Sequence, residues 1–213
     1  VCENTSQRLG IFVDVQNMFY SAKTLHQSKI EYSKLLGSIV QGRQLVRALA
    51  YVVQKPDVDQ AGFLEALARA GFEVKAKELR LRGDGTCKGD WDMGIALDAM
   101  ALSRKLDTVV LVTGDGDFTP LVEMLSRHGC RVEVFSFLES TSNDLMRAAD
   151  QFIPISDDVL FKERKFMNPP EIHREEPVPE EASEHYAWSG SREGAGEVEA
   201  ERGGHAYDPD EDV

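Results

Sequence analysis

Up to about residue 165, short apolar runs alternate with stretches of helical period. Runs at 9–13, 45–53, 109–112 and 132–137 are brief and rich in aliphatic residues, which predicts buried strands. Residues 72–81 alternate apolar and charged positions (Val74 and Ala76 against Lys75 and Lys77), as expected of an edge strand. Residues 152–155 predict a last short strand. Between these runs the apolar positions repeat at helical spacing. A helix is expected from Met18, with Phe19, Ala22 and Leu25 inward, and another over 32–40, closed near Gly42. Further helices are expected over 61–70 (ending at Gly71), 91–105 (Ile95, Ala96, Ala99 and Leu102 on one face), 121–128 (ending at Gly129) and 145–149. Residues 55–60 read as a connection and 82–90 as a glycine-rich, charged loop. This alternation implies βαβ units and an α/β fold, with a largely parallel sheet covered on both faces by right-handed crossovers.

From residue 169 the pattern stops. Residues 169–213 are rich in Pro, Glu, Gly and Ser, and too poor in large apolar residues to offset the entropy of ordering. The expected organisation is an N-terminal extension (1–8), a folded domain (9–168) and a disordered acidic tail (169–213). The tail also changes how the net charge of −13 is read. It holds 14 acidic residues against three arginines, a net of −11, which leaves −2 for residues 1–168. A nearly neutral domain can still present a basic face to a polyanion. Cys2, Cys87 and Cys130 are odd in number and far apart, which argues against a disulfide framework or a zinc site. No run approaches a membrane span and no leader opens the chain, so the expectation is a soluble, cytoplasmic protein with no membrane partner. Self-association is left open.

The candidate chemistry lies in the carboxylates at strand ends. Asp14 closes the first run, Asp92 opens the 91–105 helix, and Asp115 and Asp117 occupy the glycine-bracketed turn of TGDGDF after 109–112. Open α/β sheets bind ligands at that edge. If the first and fourth strands are neighbours, all four carboxylates can converge there. Gathered like charges raise one another's pKa unless a cation neutralises them, and an all-oxygen set selects Mg²⁺ or Mn²⁺. Such a centre supports metal-assisted phosphoester hydrolysis. Each residue also has a structural reading: Asp14 and Asn17 could start a helix, and Asp117 could be an N-cap with Pro120 in the first turn. Asp98 reads as a support for the site or a partner of a backbone amide, and Thr113 as an orienting group for Asp115 or a strand end. The five histidines are scattered and make no triad. Gln16 stands where an aspartyl-nucleophile phosphatase would need a second Asp.

Lys75, Lys77, Arg80, Arg82 and Lys88 form a basic run leading into Asp92, which could grip a nucleic-acid backbone or simply protect an edge strand. Phe19, Tyr20 and Trp91 could stack on a base, with at least two of the three expected in the core.

Four segments together carry a family resemblance: IFVDVQNMFY (11–20), KGDWDMGIALDAM (88–100), VVLVTGDGDFTPLV (109–122) and LMRAADQFIPI (145–155). On these the chain resembles the NYN domains of the LabA-like group, a branch of the PIN-like nucleases. The resemblance implies a PIN-like Rossmannoid three-layer sandwich with an acidic pocket for Mg²⁺ or Mn²⁺, and (ribo)nuclease activity on RNA or another nucleic acid. By motif position it makes Asp14, Asp92, Asp115 and Asp117 the metal-binding and catalytic carboxylates, with Asn17 accompanying Asp14. One extra residue before Asp92 leaves Asp90 as an alternative ligand, and the phase of the helix favours Asp92. The leading expectation is therefore a metal-dependent endoribonuclease, with Lys75, Lys77, Arg80, Arg82 and Lys88 holding the strand. The alternative is a non-catalytic module of the same fold that binds nucleic acid or a regulatory partner, its acidic tail contacting a basic partner or the domain itself.

Overall fold

The computed structural model describes residues 6–54, 58–78, 80–81, 87–88 and 90–161, with the backbone alone at 80–81 and 87–88. The expected tail, the 168/169 boundary and Arg82 lie outside the described residues.

Strands β1 (Arg8–Asp14), β2 (Gln44–Gln54), β3 (Glu73–Glu78), β6 (Thr108–Val112), β7 (Arg131–Ser136) and β8 (Gln151–Pro154) form one sheet in the order β3-β2-β1-β6-β7-β8. Every pairing in it is parallel. Between these strands run α1 (Val15–His26), α2 (Tyr32–Val40), α3 (Ala61–Arg69), α4 (Asp92–Ser103), α5 (Thr119–Arg127) and α6 (Asn143–Ala148).

The period of two along each strand sends alternate residues to opposite faces. Ile11, Val13, Ala48, Ala50, Val110 and Val112 pack with α1, α2 and α3. Phe12, Leu49, Tyr51, Val109, Leu111 and Val134 pack with α4, α5 and α6. The result is the expected three-layer sandwich. No helix among the described residues is long and apolar enough to cross a membrane.

Strand order places β1 beside β6, as the convergence argument required. After β1 the chain winds one way to β2 and β3, then returns to build β6, β7 and β8 on the other side. The β1/β6 boundary is thus the topological switch point, where a crevice opens beyond the carboxyl ends of the strands.

At the amino edge of the sheet the carboxylates of Glu133 and Asp107 are paired with arginines. Arg43 donates to both Glu133 oxygens at 3.0 Å, and its Nη2 donates to the Ile39 carbonyl at 2.6 Å. Arg131 donates to the same carboxylate at 3.2 Å. Arg8 and Asp107 make a two-point ion pair that clips the start of β1 to the start of β6.

Two expectations are corrected. Helix α1 begins at Val15, not Met18, because the Asp14 carboxylate accepts the Asn17 N–H and starts it. Its inward stripe is Val15, Met18 and Ala22. Phe19 and Leu25 lie off that stripe and are 43% and 38% exposed. The edge strand also ends earlier than expected, at Glu78. Arg80–Leu81 (β4), expected to continue that strand, instead pair antiparallel with Cys87–Lys88 (β5), which fall in the expected 82–90 loop.

Candidate metal centre

Asp14 ends β1 and caps α1, its Oδ1 accepting the Asn17 N–H at 3.0 Å. The Asn17 side chain does a second job. Its Oδ1 accepts the Gly114 N–H at 2.9 Å, fastening the first turn of α1 to the loop after β6. Asn17 therefore braces the two halves of the switch point.

That loop is compressed. A Cβ on Gly114 would lie 2.6 Å from the Ser140 carbonyl oxygen, and one on Gly116 would lie 2.8 Å from Ser142 Oγ. The Ser142 N–H donates to the Gly114 carbonyl at 2.9 Å. Only glycine at 114 lets these backbones approach so closely. Within the turn, Thr113 Oγ1 accepts the Asp115 N–H at 3.2 Å, so Thr113 does orient this segment. The Asp115 carboxylate accepts the Asp117 N–H at 3.0 Å and caps the short 3-10 turn over Gly116–Phe118. The cap is thus Asp115, and Asp117 is a free arm of the turn.

Asp92 is the first residue of α4. Its placement depends on Trp91, a role that sequence reasoning missed although the residue is adjacent. Trp91 Nε1 donates to the Val52 carbonyl at 2.9 Å, and the ring packs edge-on against Tyr51 with centroids 5.3 Å apart. Gly94 leaves room for the indole, since a Cβ there would meet it at 2.5 Å.

One carboxylate oxygen each from Asp92, Asp115 and Asp117 lies within 4.8 Å of the others. Asp14 falls outside this trio but within its field. Burial raises the Asp14 carboxyl to about 6, with the Asp92 and Asp115 charges adding to the rise. Burial also raises Asp92, helped by Asp90, Asp115 and Asp117. The trio offers only oxygen donors, and its clustered charge favours a cation. Both features fit a hard divalent ion such as Mg²⁺ or Mn²⁺.

Two residues of the basic run, Lys75 and Lys77, find partners within the protein. Lys75 Nζ donates to Asp98 at 2.5 Å, and the Tyr51 hydroxyl donates to the same carboxylate at 2.7 Å. Burial pushes the Asp98 carboxyl up, and these two donors together outweigh it and hold it below the usual range. Asp98 thus ties α4 to β2 and β3 through the Tyr51 and Lys75 side chains; the expected alternatives were a support for the site or a partner of a backbone amide. Lys77 donates to the Asp90 carbonyl and sits 4.5 Å above the Trp91 ring. Both lysines brace the strap that carries Asp92. The side chains of Arg80 and Lys88 are not described, and their backbones pair with each other.

Asp92 and Asp115 of the trio open onto a cleft of about 1290 Å³, lined also by Asp14, Asn17, Phe19 and Tyr20 among others. The expectation that at least two of Phe19, Tyr20 and Trp91 are core does not hold. Phe19 and Tyr20 are 43% and 44% exposed, and Trp91 is half-buried.

The fold is shared with a known protein structure, and the sequence with a known family. The NYN domain family matches residues 8–157. The chain belongs to the NYN domain family. It is 30% identical over 165 residues to the low amplitude and bright protein LabA of Synechococcus elongatus, covering 74% of this chain and 88% of that one. It is 28% identical over 161 residues to an uncharacterized protein of Methanocaldococcus jannaschii, covering 74% of this chain and 59% of that one. A crystal structure of a Vibrio parahaemolyticus protein of unknown function superposes with a TM-score of 0.69 at 38% identity, over 75% of this chain and 99% of that one. NYN domains are a PIN-like, nucleic-acid-related nuclease family, and this NYN chain carries an acidic triad beyond the carboxyl ends of its central strands.

Proposed function

We propose that this NYN domain is a divalent-metal-dependent ribonuclease that hydrolyses RNA phosphodiesters at the β1/β6 switch point. The observation that carries the reading is the Asp92–Asp115–Asp117 trio, three carboxylate oxygens within 4.8 Å on a nuclease-family fold. Asp92, Asp115 and Asp117 would hold Mg²⁺ or Mn²⁺. The ion would supply Lewis-acid stabilisation of charge developing on the phosphoryl oxygens and lower the pKa of an attacking water. Asp14, with its carboxyl near 6, is suited to accept that water's proton at neutral pH and release it afterwards. Asn17 and Trp91 act as positioning residues, holding the two arms of the site at a fixed separation.

The size of the cleft favours a polymer over a mononucleotide. Its volume of about 1290 Å³ exceeds the roughly 300–1,000 Å³ of pockets that enclose a small ligand.

The test is cleavage of end-labelled single-stranded RNA with Mn²⁺, Mg²⁺ or EDTA, comparing wild type with Asp14→Asn and Asp115→Asn. Metal-dependent cutting that disappears in both variants is the expected result. A folded protein that binds RNA and never cuts it would replace this reading with a non-catalytic binding module of the same fold.

A further inference from the structure

We propose that Phe19 and Tyr20 form a base-stacking platform beside the acidic trio, so that the cleft takes unpaired rather than duplex nucleic acid. The inference rests on the nuclease reading for its substrate class and adds which form of that substrate enters.

Helix α1 presents two faces from one short stretch. Its first turn carries the capping Asp14 and the bracing Asn17, and its inward stripe is filled by Val15, Met18 and Ala22. The largest apolar side chain of the segment, Phe19, is left out of that stripe in favour of Met18 and Ala22. It stands at the cleft with Tyr20, each more than two-fifths exposed. The two rings already touch, edge to face, with centroids 5.4 Å apart and planes at 74°. Contact between them restricts both side chains before any ligand arrives, which lowers the entropy lost when a base stacks.

Position along the helix sets the reach. Phe19 stands five positions beyond Asp14, about 7.5 Å of helix rise. This is close to the span of one nucleotide along an extended backbone. A strand that passes Asp14 with a phosphate toward Asp92 and Asp115, which line the same cleft, would bring a neighbouring base to the rings. Lys23 Nζ lies over the Phe19 ring, 5.9 Å from its centre, and supplies a cation beside the platform for a neighbouring phosphate. Aromatic faces take up unpaired bases of any identity, whereas bases inside a duplex are already stacked on one another.

The experiment is fluorescence anisotropy on the full chain with a labelled ten-nucleotide single-stranded RNA and with the same RNA as a duplex. Ca²⁺ replaces Mg²⁺ to limit cutting. The variants are Phe19→Ala, Tyr20→Ala, Phe19→Trp and Tyr20→Phe, with Mn²⁺ binding measured in each as a check on the trio. Phe19→Ala and Tyr20→Ala are expected to weaken single-strand binding roughly 5- to 100-fold, the range one base–aromatic stack supplies. Duplex and Mn²⁺ affinity should change less than about twofold, and Phe19→Trp and Tyr20→Phe should bind single strands nearly as wild type does.

Equal losses on single strand and duplex, or no loss on either, would overturn the platform. So would a wild type that prefers duplex or binds neither form. The two proposals fail separately. Metal-dependent cleavage with an unchanged KM in Phe19→Ala removes the platform and keeps the nuclease. Single-strand binding that falls in Phe19→Ala, in a protein that never cuts, keeps the platform and removes the nuclease.

Discussion

The two edges of the parallel sheet treat buried carboxylates in opposite ways. At the amino edge, Glu133 has a side chain only 7% exposed, and Arg43 and Arg131 both reach it. At the carboxyl edge, Asp14 is 9% exposed, its Oδ1 accepts the Asn17 N–H, and its nearby charges are the carboxylates of Asp92 and Asp115. One edge pairs its buried carboxylate with cations of the protein itself. The other leaves a surplus of negative charge facing a cleft, a destabilising arrangement that a bound cation relieves. The difference separates charge that holds the fold together from charge kept for a ligand.

Breaking the matched edge should have the largest effect on stability. Glu133→Ala leaves the largely buried Arg43 side chain without its carboxylate, and urea unfolding should show a loss of about 3 kcal/mol. The paired replacement Arg43→Met with Glu133→Leu should recover most of that loss, because it removes both charges together. A loss below about 1 kcal/mol in Glu133→Ala would show that the amino edge does not depend on this pair.

Changing the unmatched edge should act on chemistry instead. Asp92→Asn and Asp115→Asn are each expected to lower metal-dependent RNA cleavage by at least about 100-fold, since metal-centred charge stabilisation supplies several kcal/mol. Their melting temperatures in EDTA should stay level or rise, as each removes one of several like charges. Melting temperatures that fall as steeply as in Glu133→Ala would erase the contrast between the edges.

Asp14 sharpens the comparison through pH. Its carboxyl is raised from 3.8 to about 6, so it binds its proton more tightly in the folded chain than in the unfolded one. Its contribution to stability is then fully present below about pH 4 and lost as pH rises through 6. In EDTA, Asp14→Asn keeps an oxygen to cap α1 and should stabilise the protein at pH 7.5 by at most about 3 kcal/mol. That gain should vanish near pH 4. An equal gain at both pH values would mean that ionisation of Asp14 is not its source. The smallest effect belongs to the exposed Arg8–Asp107 pair. Arg8→Ala should move the urea midpoint only slightly, and less still in 1 M salt, where exposed charges are screened.

Most of the architecture was legible along the chain because its information is local. A run of four to six aliphatic residues cannot be a solvent-facing helix, and its spacing from the next helix fixes a parallel crossover. The glycines of the 113–117 turn and the carboxylates at strand ends were visible for the same reason. The misplaced start of α1 shows where local pattern fails. Phe19 and Leu25 have the right chemistry for a core, but the Asp14 cap sets the phase that turns Met18 and Ala22 inward instead.

The sequence alone determined the alternation of strands and helices, the carboxyl-edge position of Asp14 and Asp115, and the family these imply. Tertiary structure decided which charges meet. Asn17 reaches Gly114 across 97 residues of chain, and Lys75 is drawn to Asp98. Asp92 joins Asp115 and Asp117 while Asp14 stays just apart. A side chain's partner depends on strand order and helix rotation, and these follow from how whole faces bury against one another rather than from any single stretch of residues.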